Sequence, residues 1–273
     1  MASETPETSP ELESSAQDND EDAEEDATEE EPSPTEPPAE PTATIVEATE
    51  TPLPTEAPSL TVLLVAEDEL SGRPEWTSAD EIASALDSLD VTYDRWRTYQ
   101  DGQPGRTAAN EYDVIIWAVG DDCCDSPTQS SLDTMLQFLD DGGRILIEGG
   151  AVISPWPNTP FVQDYLSIRH DGWSPVVDLT LSNANHPLAE GFSGDTLNLS
   201  VNSRVRPDAV ETRAAVAVFS RGPNSAQSGN PVITAYDSGS FKTVYSSVPL
   251  QWMRSNDRRQ LIENALNWFA ADD

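Results

Sequence analysis

The sequence predicts an α/β domain, a three-layer sandwich in which helices cover both faces of a mainly parallel central sheet. The first observation behind this prediction is the alternation of short apolar runs with amphipathic segments over residues 60–148. Strands that are joined through helices at short intervals form parallel sheets. The second observation is an abrupt change of composition near residue 60. We therefore assign residues 60–271 to one α/β domain and residues 1–59 to a separate tail.

The first strand and the first helix have distinct signals. Residues 60–66 form a continuous apolar run followed by acids, which is typical of a central parallel strand. Residues 75–89 carry apolar side chains at helical spacing, and Thr77, Ser78 or Asp80 can cap the start of this helix. This strand and helix begin the alternation.

The remaining elements follow from apolar composition and spacing. Up to residue 148 we expect a strand at 91–96, a turn-rich loop at 101–105, a strand at 112–119, a helix at 130–139 and a strand at 144–148. Beyond it, strands are predicted at 175–179, 214–219, 231–236 and 242–246, and a closing helix at 260–269. The second half is therefore richer in strands than the first.

The tail has the composition of a disordered linker. Residues 1–59 contain 19 acidic and no basic residues, no aromatic residue, and repeated Pro, Thr, Ser and Glu. Such a segment buries too little apolar surface to offset its ordering entropy, roughly 1–2 kcal/mol per residue. We expect an extended acidic tether.

Charge restricts the partners and the location. The formal net charge of the whole chain is -36, which repels nucleic acid and anionic membranes. No run approaches the ~18 apolar residues of a membrane span, and residues 1–30 show no apolar core of a signal peptide. Spacers rich in Pro, Thr and Glu often tether secreted domains, so we expect an extracellular or cell-surface location.

Five segments together resemble a known family. They are residues 62–68, 112–117, 139–147, 185–192 and 264–269. In order and spacing they are similar to the glutamine amidotransferase-like superfamily, and within it to the branch without amidotransferase activity that includes trehalose-utilisation-protein-like domains. This resemblance implies a flavodoxin-like sandwich over nearly all of residues 60–271.

The resemblance also shows where this chain departs from the family. Amidotransferases of this superfamily place a reactive cysteine on a tight turn after a strand, supported by a histidine and an acid. Here the turn consists of Gly149, Gly150 and Ala151, which have no nucleophilic side chain. The leading interpretation is therefore a non-catalytic accessory or ligand-binding domain without a cofactor.

The alternative is a hydrolase. It would act on a small carbohydrate or amide and use Glu148 together with His186 or Cys123. His186 precedes Pro187 in a predicted loop, where a histidine more often packs or forms a turn hydrogen bond than acts as a base.

Acidic residues follow three predicted strands at the ends that a parallel sheet brings to one edge. They are Glu67, Asp68, Asp121, Asp122 and Glu148. Carboxylates there could bind Ca²⁺ or Mg²⁺, contact sugar hydroxyls, or form a general acid/base pair. They could also cap helices and solvate loops. Our predicted sites include no metal, and the partner we consider is a small ligand or carbohydrate.

The two cysteines are adjacent, Cys123 and Cys124, and lie among aspartates that raise a thiol pKa. They are interpreted as structural, as ligand contacts, or as a nucleophile. The backbone N–H groups of Gly149 and Gly150 either bind an anion or allow close strand–helix packing.

Two further motifs complete the candidates. Trp156, Trp173 and Trp252 lie in irregular segments, where they either form a stacking platform for a carbohydrate or cover the core. Asn198-Leu199-Ser200 matches the N-glycosylation sequon.

Overall fold

The computed structural model describes residues 60–68, 77–121, 126–194, 196–201 and 207–271. The predicted tail at residues 1–59 lies outside them. The strands are β1 (Val62–Ala66), β2 (Tyr93–Arg97), β3 (Val114–Gly120), β4 (Arg144–Gly149), β5 (Ile168–Trp173), β6 (Asp178–Leu181), β7 (Leu197–Asn198), β8 (Asp208–Thr212), β9 (Val216–Arg221), β10 (Pro231–Asp237) and β11 (Lys242–Ser246). The helices are α1 (Ser78–Ser88), α2 (Thr98–Asp101), α3 (Arg106–Ala109), α4 (Gln129–Asp140) and α5 (Ser255–Ala270).

The central sheet has nine strands in the order β2-β1-β3-β4-β11-β10-β9-β6-β7. The first five of these strands are mutually parallel. The other pairings, from β11–β10 to β6–β7, are antiparallel. The α/β sandwich predicted from the sequence is confirmed, and its parallel strands continue into an antiparallel extension.

Helices cover both faces of the sheet because β1 and β3 are apolar on both sides. In β1, Val62 and Leu64 join a core cluster with residues of α1 and α5, whereas Leu63 and Val65 join a second cluster with residues of α4. Successive side chains of a strand point to opposite faces, so a continuous apolar run is buried twice. No described helix is both long enough and apolar enough to cross a bilayer.

Threonine hydroxyl groups cap the N-termini of α1 and α4 and fix where these helices begin. Thr77 caps α1, since its Oγ1 accepts a hydrogen bond from the Asp80 N–H at 3.1 Å while its own N–H donates to Asp80. Thr128 caps α4 in the same reciprocal way with Ser131. One of the three caps proposed from the sequence for the first helix, Thr77, is therefore the one used.

A two-stranded antiparallel sheet of β5 and β8 was not predicted from the sequence. β5 alternates residues that are at least partly buried with exposed ones, as His170 and Asp171 show, and neither strand has the long apolar runs that marked the other strands. The turn-rich segment 101–105 lies between the short helices α2 and α3, and the strand expected at 175–179 is β6, which begins at Asp178.

Arg221, at the end of β9, connects three parts of the second half. Its side chain is fully buried, and one terminal nitrogen donates to the carbonyls of Ser174, Pro175 and Ala226. The other terminal nitrogen donates to the Asp208 carbonyl at 3.1 Å. One guanidinium thus satisfies several buried carbonyl groups, as a planar group with five donors can.

We expect Arg221→Lys to lower the free energy of unfolding by about 2–4 kcal/mol, because an ammonium group cannot reach the same carbonyls and leaves some of them unpaired. Urea denaturation followed by circular dichroism measures this loss. Arg213→Lys is the control, since the Arg213 side chain is 50% exposed and donates to one described carbonyl, that of Gln163. Equal losses in the two variants would contradict the role given to Arg221.

Candidate functional site

The carboxyl ends of the parallel strands bring Asp68 and Glu148 together. Asp68 follows β1, Glu148 lies in β4, and the negative charge of Asp68 raises the pKa of Glu148. Between them Gly120 ends β3 at a φ of +60°, and a Cβ there would lie 2.6 Å from Asp68 Oδ2. Only glycine allows the strand end and the carboxylate to approach this closely.

Glu148 is fully buried, and backbone N–H groups hold its carboxyl group. Its Oε2 accepts from the Leu250 N–H at 2.7 Å and its Oε1 from the Gly120 N–H at 3.2 Å. Burial, with Asp68 as a second cause, raises its pKa to about 8. The nearby Ser78 hydroxyl opposes this rise in the pKa of Glu148, although it makes no hydrogen bond of standard geometry among the described residues. At neutral pH this carboxyl group therefore carries a proton.

Asp68 binds the N-terminus of α1. Its Oδ2 accepts from the backbone N–H groups of Ser78 at 2.6 Å and Ala79 at 3.2 Å. These donors belong to the first turn of the helix, where free N–H groups and the helix dipole favour a negative charge. This contact corresponds to the capping role that we weighed for the acids in the sequence.

Glu67 lies on the other face of the sheet. Its Oε1 accepts from the Ser131 hydroxyl at 2.7 Å and the Gln103 amide at 3.1 Å, and its Oε2 accepts from the Trp117 indole N–H at 2.5 Å. Burial raises the pKa of Glu67, while these donors oppose the rise. The side chain joins β3, the segment between α2 and α3, and the start of α4, and it is separated from Asp68 by the sheet.

The turn after β4 is packed interior. Gly149 has a φ of +154°, and a Cβ there would lie 2.9 Å from Val119 and from Val152. The N–H of Gly150 donates to the Gly120 carbonyl at 3.0 Å, which leaves this group unavailable for an anion. Ala151 and Val152 are also buried. The turn is therefore filled by backbone and small apolar side chains.

Two further sequence candidates are His186 and Asp121. His186 caps a 3₁₀ turn, since its Nδ1 accepts from the Leu188 N–H at 3.1 Å, and it packs on Trp268 with ring centroids 5.3 Å apart. Trp268 also lies against Lys242, the first residue of β11, at the opposite edge of the sheet from Glu148. Asp121 follows β3 at the same edge as Glu148.

Asp122, Cys123 and Cys124 lie outside the described residues. Among the described ones, no group of three His, Cys, Asp or Glu side chains is arranged to hold a metal ion.

Sequence reasoning missed one polar network, which lies behind the turn after β4. Asp208 is fully buried; its Oδ2 accepts from the Ile153 N–H at 2.9 Å and the Tyr245 hydroxyl at 3.3 Å. Its Oδ1 lies 3.4 Å from His170 Nε2. Asp208 raises the pKa of His170 and, after burial, that of Tyr245. No local motif links these residues, since β5, β8 and β11 bring them together from distant parts of the chain.

The tryptophans do not form one platform. Trp252 is 2% exposed, and Trp156 packs against the core with its indole N–H on the Pro127 carbonyl at 2.8 Å. Trp173 in β5 is 52% exposed. Trp156 and Trp252 therefore cover the core, as one of the two interpretations from the sequence had it.

Three cavities lie at the amino ends of the parallel strands. The largest, about 360 Å³, is lined by Leu60, Thr61, Val62, Thr92, Tyr93, Asp94, Glu111 and Tyr112. Two smaller ones of about 210 and 140 Å³ adjoin Arg144. None of these three contains a candidate residue named from the sequence.

We expect Glu148→Gln to gain stability relative to the native chain as pH rises. The folded pKa of about 8 lies above the ordinary 4.5, so the folded chain holds a proton that the unfolded chain releases. The native chain therefore loses up to about 1.4 kcal/mol of unfolding free energy per pH unit between these values, and glutamine does not. Urea midpoints at several pH values measure the difference.

Glu148→Ala is the control for this prediction. It also removes the titration, but it leaves the Leu250 and Gly120 N–H groups unpaired. Its free energy of unfolding is therefore expected to be lower than that of Glu148→Gln at every pH. A difference between Glu148→Gln and the native chain that stays constant with pH would show that Glu148 does not titrate in this range.

The two histidines are expected to titrate in opposite directions from their ordinary pKa of 6.5. Asp208 raises the pKa of His170, so its stabilising contribution is full below about pH 6.5 and is lost as pH rises through the folded pKa. Burial lowers the pKa of His186. Imidazole proton NMR can separate them, since the chain has 2 histidines. Asp208→Asn is expected to lower the pKa of His170 alone; an unchanged value would contradict the pairing.

Comparisons with known proteins agree with the described fold. No family model matches the sequence, and no curated protein is similar to it in sequence. A protein described as ThuA-like from Bacteroides uniformis matches with a TM-score of 0.55 at 13% identity, over 79% of this chain and 93% of that one. A protein from Thermoplasma acidophilum, described as part of a GMP synthase, matches with a TM-score of 0.51 at 9% identity, over 78% and 94%.

A longer chain contains the same fold. The β-galactosidase from Bacillus circulans matches with a TM-score of 0.52 at 13% identity, over 75% of this chain but 30% of that one. At these identities the comparisons establish the fold and leave activity open. They confirm the resemblance at that level: this chain has the glutamine amidotransferase-like fold, which ThuA-like proteins share.

Proposed function

We propose that this chain is a non-catalytic accessory domain of amidotransferase-like fold, which binds a small ligand and is carried on an acidic tether outside the cytoplasm. The observation that carries the proposal is the buried turn after β4. Glu148 is 0% exposed and both of its oxygens accept backbone hydrogen bonds. A nucleophile or general acid must reach the substrate, and the side chains at this turn do not.

The similarity to part of a longer chain supports an accessory role. In the β-galactosidase from Bacillus circulans, the matching fold accounts for 30% of the chain, so the same architecture can accompany other domains. The acidic, Pro-rich composition of residues 1–59 suits a spacer between such a domain and another part of a protein. A carbohydrate is accordingly the ligand class that we propose.

The cavity of about 360 Å³ at the amino ends of β1 and β2 is the binding place that we propose for it. Its volume of about 360 Å³ falls in the range of small-ligand sites, which is about 300–1,000 Å³. Tyr93 and Tyr112 line it together with the carboxylates of Asp94 and Glu111. Aromatic faces pack on the apolar faces of sugar rings, and carboxylates accept hydrogen bonds from sugar hydroxyls. The cavity thus combines the two kinds of contact that a neutral carbohydrate needs.

A melting-temperature screen of the full chain against neutral oligosaccharides tests the ligand. At about 100 times its Kd, a ligand is expected to raise the Tm by roughly 5–10 °C. Tyr93→Ala is expected to abolish this increase. Tyr99→Ala is the matched control, because Tyr99 is 48% exposed and does not line the cavity. If no sugar raises the Tm, or if both variants respond like the native chain, this ligand assignment is wrong.

A hydrolysis assay tests the absence of catalysis separately. The full chain is incubated with chromogenic glycosides and amides, beside Glu148→Gln, His186→Asn and Cys123→Ser. We expect no turnover above that of heat-denatured protein. Turnover that is lost in Glu148→Gln or Cys123→Ser would establish the hydrolase alternative and overturn the proposal.

A further inference from the structure

The N-x-S/T sequon of this chain begins in β7, at one edge of the central sheet. Asn198-Leu199-Ser200 is the one match to this pattern in the sequence. β7 is the edge strand and pairs with β6 through Asp178 and Asn198. A sequon alone is weak evidence, so its geometry decides whether it can serve as an acceptor.

The extended backbone at β7 and just after it exposes the two side chains that define the sequon, Asn198 and Ser200. Leu197 and Leu199 pack against the core, while Asn198 and Ser200 are exposed. Alternate residues of an extended chain share a face, so the acceptor amide and the hydroxyl two residues later lie on the same solvent side, about 7 Å apart along the strand.

Backbone hydrogen bonds fix that orientation. The N–H of Leu199 donates to the Val177 carbonyl at 3.0 Å, and the N–H of Ser200 donates to the Trp252 carbonyl at 2.8 Å. Within the described part of the chain, the exposed Asn198 side chain makes no hydrogen bond, so a substituent on its amide breaks none there. The folded domain can therefore accommodate a glycan at Asn198.

We propose that Asn198 is an N-glycosylation site. In the transfer, Asn198 Nδ2 attacks the anomeric carbon of a lipid-linked oligosaccharide; the new N–C bond replaces the C–O bond to the lipid (pyro)phosphate, which leaves with the bonding electrons. The amide proton passes to a base of the transferase. The Ser200 hydroxyl supplies the recognition contact at the third sequon position. The proposal rests on the location outside the cytoplasm and not on the ligand of the domain.

The test is secretion of the full chain, behind a signal sequence, from a host that N-glycosylates its exported proteins. Intact mass and peptide mapping, before and after glycan removal by a glycoamidase that converts the acceptor to aspartate, measure occupancy at Asn198. We expect the native chain and Ser200→Thr to carry the glycan, since threonine also completes the sequon. Asn198→Gln and Ser200→Ala are expected to lose it.

Secreted native chain with an unmodified Asn198, or a glycan that persists in Ser200→Ala, would overturn the assignment. The outcome is independent of the ligand screen, because occupancy at Asn198 is measured by mass, whereas the screen measures a change of Tm. Localisation is read separately, by fractionating the source cells, so a failure of the proposed location can be told apart from a failure of the acceptor site.

Discussion

The buried carboxyl group of Glu148 is the constraint on which the rest of this edge of the sheet depends. Its oxygens hold the end of β3 through the Gly120 N–H and the segment before α5 through the Leu250 N–H. Asp68 lies beside it and binds the first turn of α1. Three connections therefore converge on two carboxyl groups, and the proton on Glu148 relieves the repulsion between them. An acid at this place stabilises the fold as long as it stays neutral.

At the carboxyl end of β1, the sheet separates the side chains of two acidic residues that are adjacent in the sequence. Glu67 and Asp68 are adjacent in sequence, yet the strand alternation sends the first toward α4 and the second toward α1. Each satisfies the start of a different helix. The adjacent carboxylates that the sequence suggested as one site are thus divided by the backbone into two separate helix-capping contacts.

The sequence predicted those elements whose residue pattern depends on neighbours along the chain. The apolar run of β1 and the helical spacing of α1 were readable because they depend on neighbours in the sequence. The β5–β8 pair was not, because its two strands are about 40 residues apart in the sequence. The Asp208 carbonyl of β8 is held by Arg221 of β9, a contact that no local pattern indicates. Glu148 was identified as the polar residue at the turn, but the hydrogen bond that it accepts from the Leu250 N–H joins two distant parts of the chain, and no local pattern indicates it.

The place of β11 in the sheet has a consequence for the order of synthesis. β11 lies between β4 and β10, although it is the last strand along the chain. Four of the five parallel strands have been made when the chain reaches Gly149, but the outer edge of β4 stays unpaired until Lys242–Ser246 has emerged from the ribosome. The nascent chain therefore carries an open strand edge while all of the second half is made, which is the period in which mispairing with another chain is most favoured.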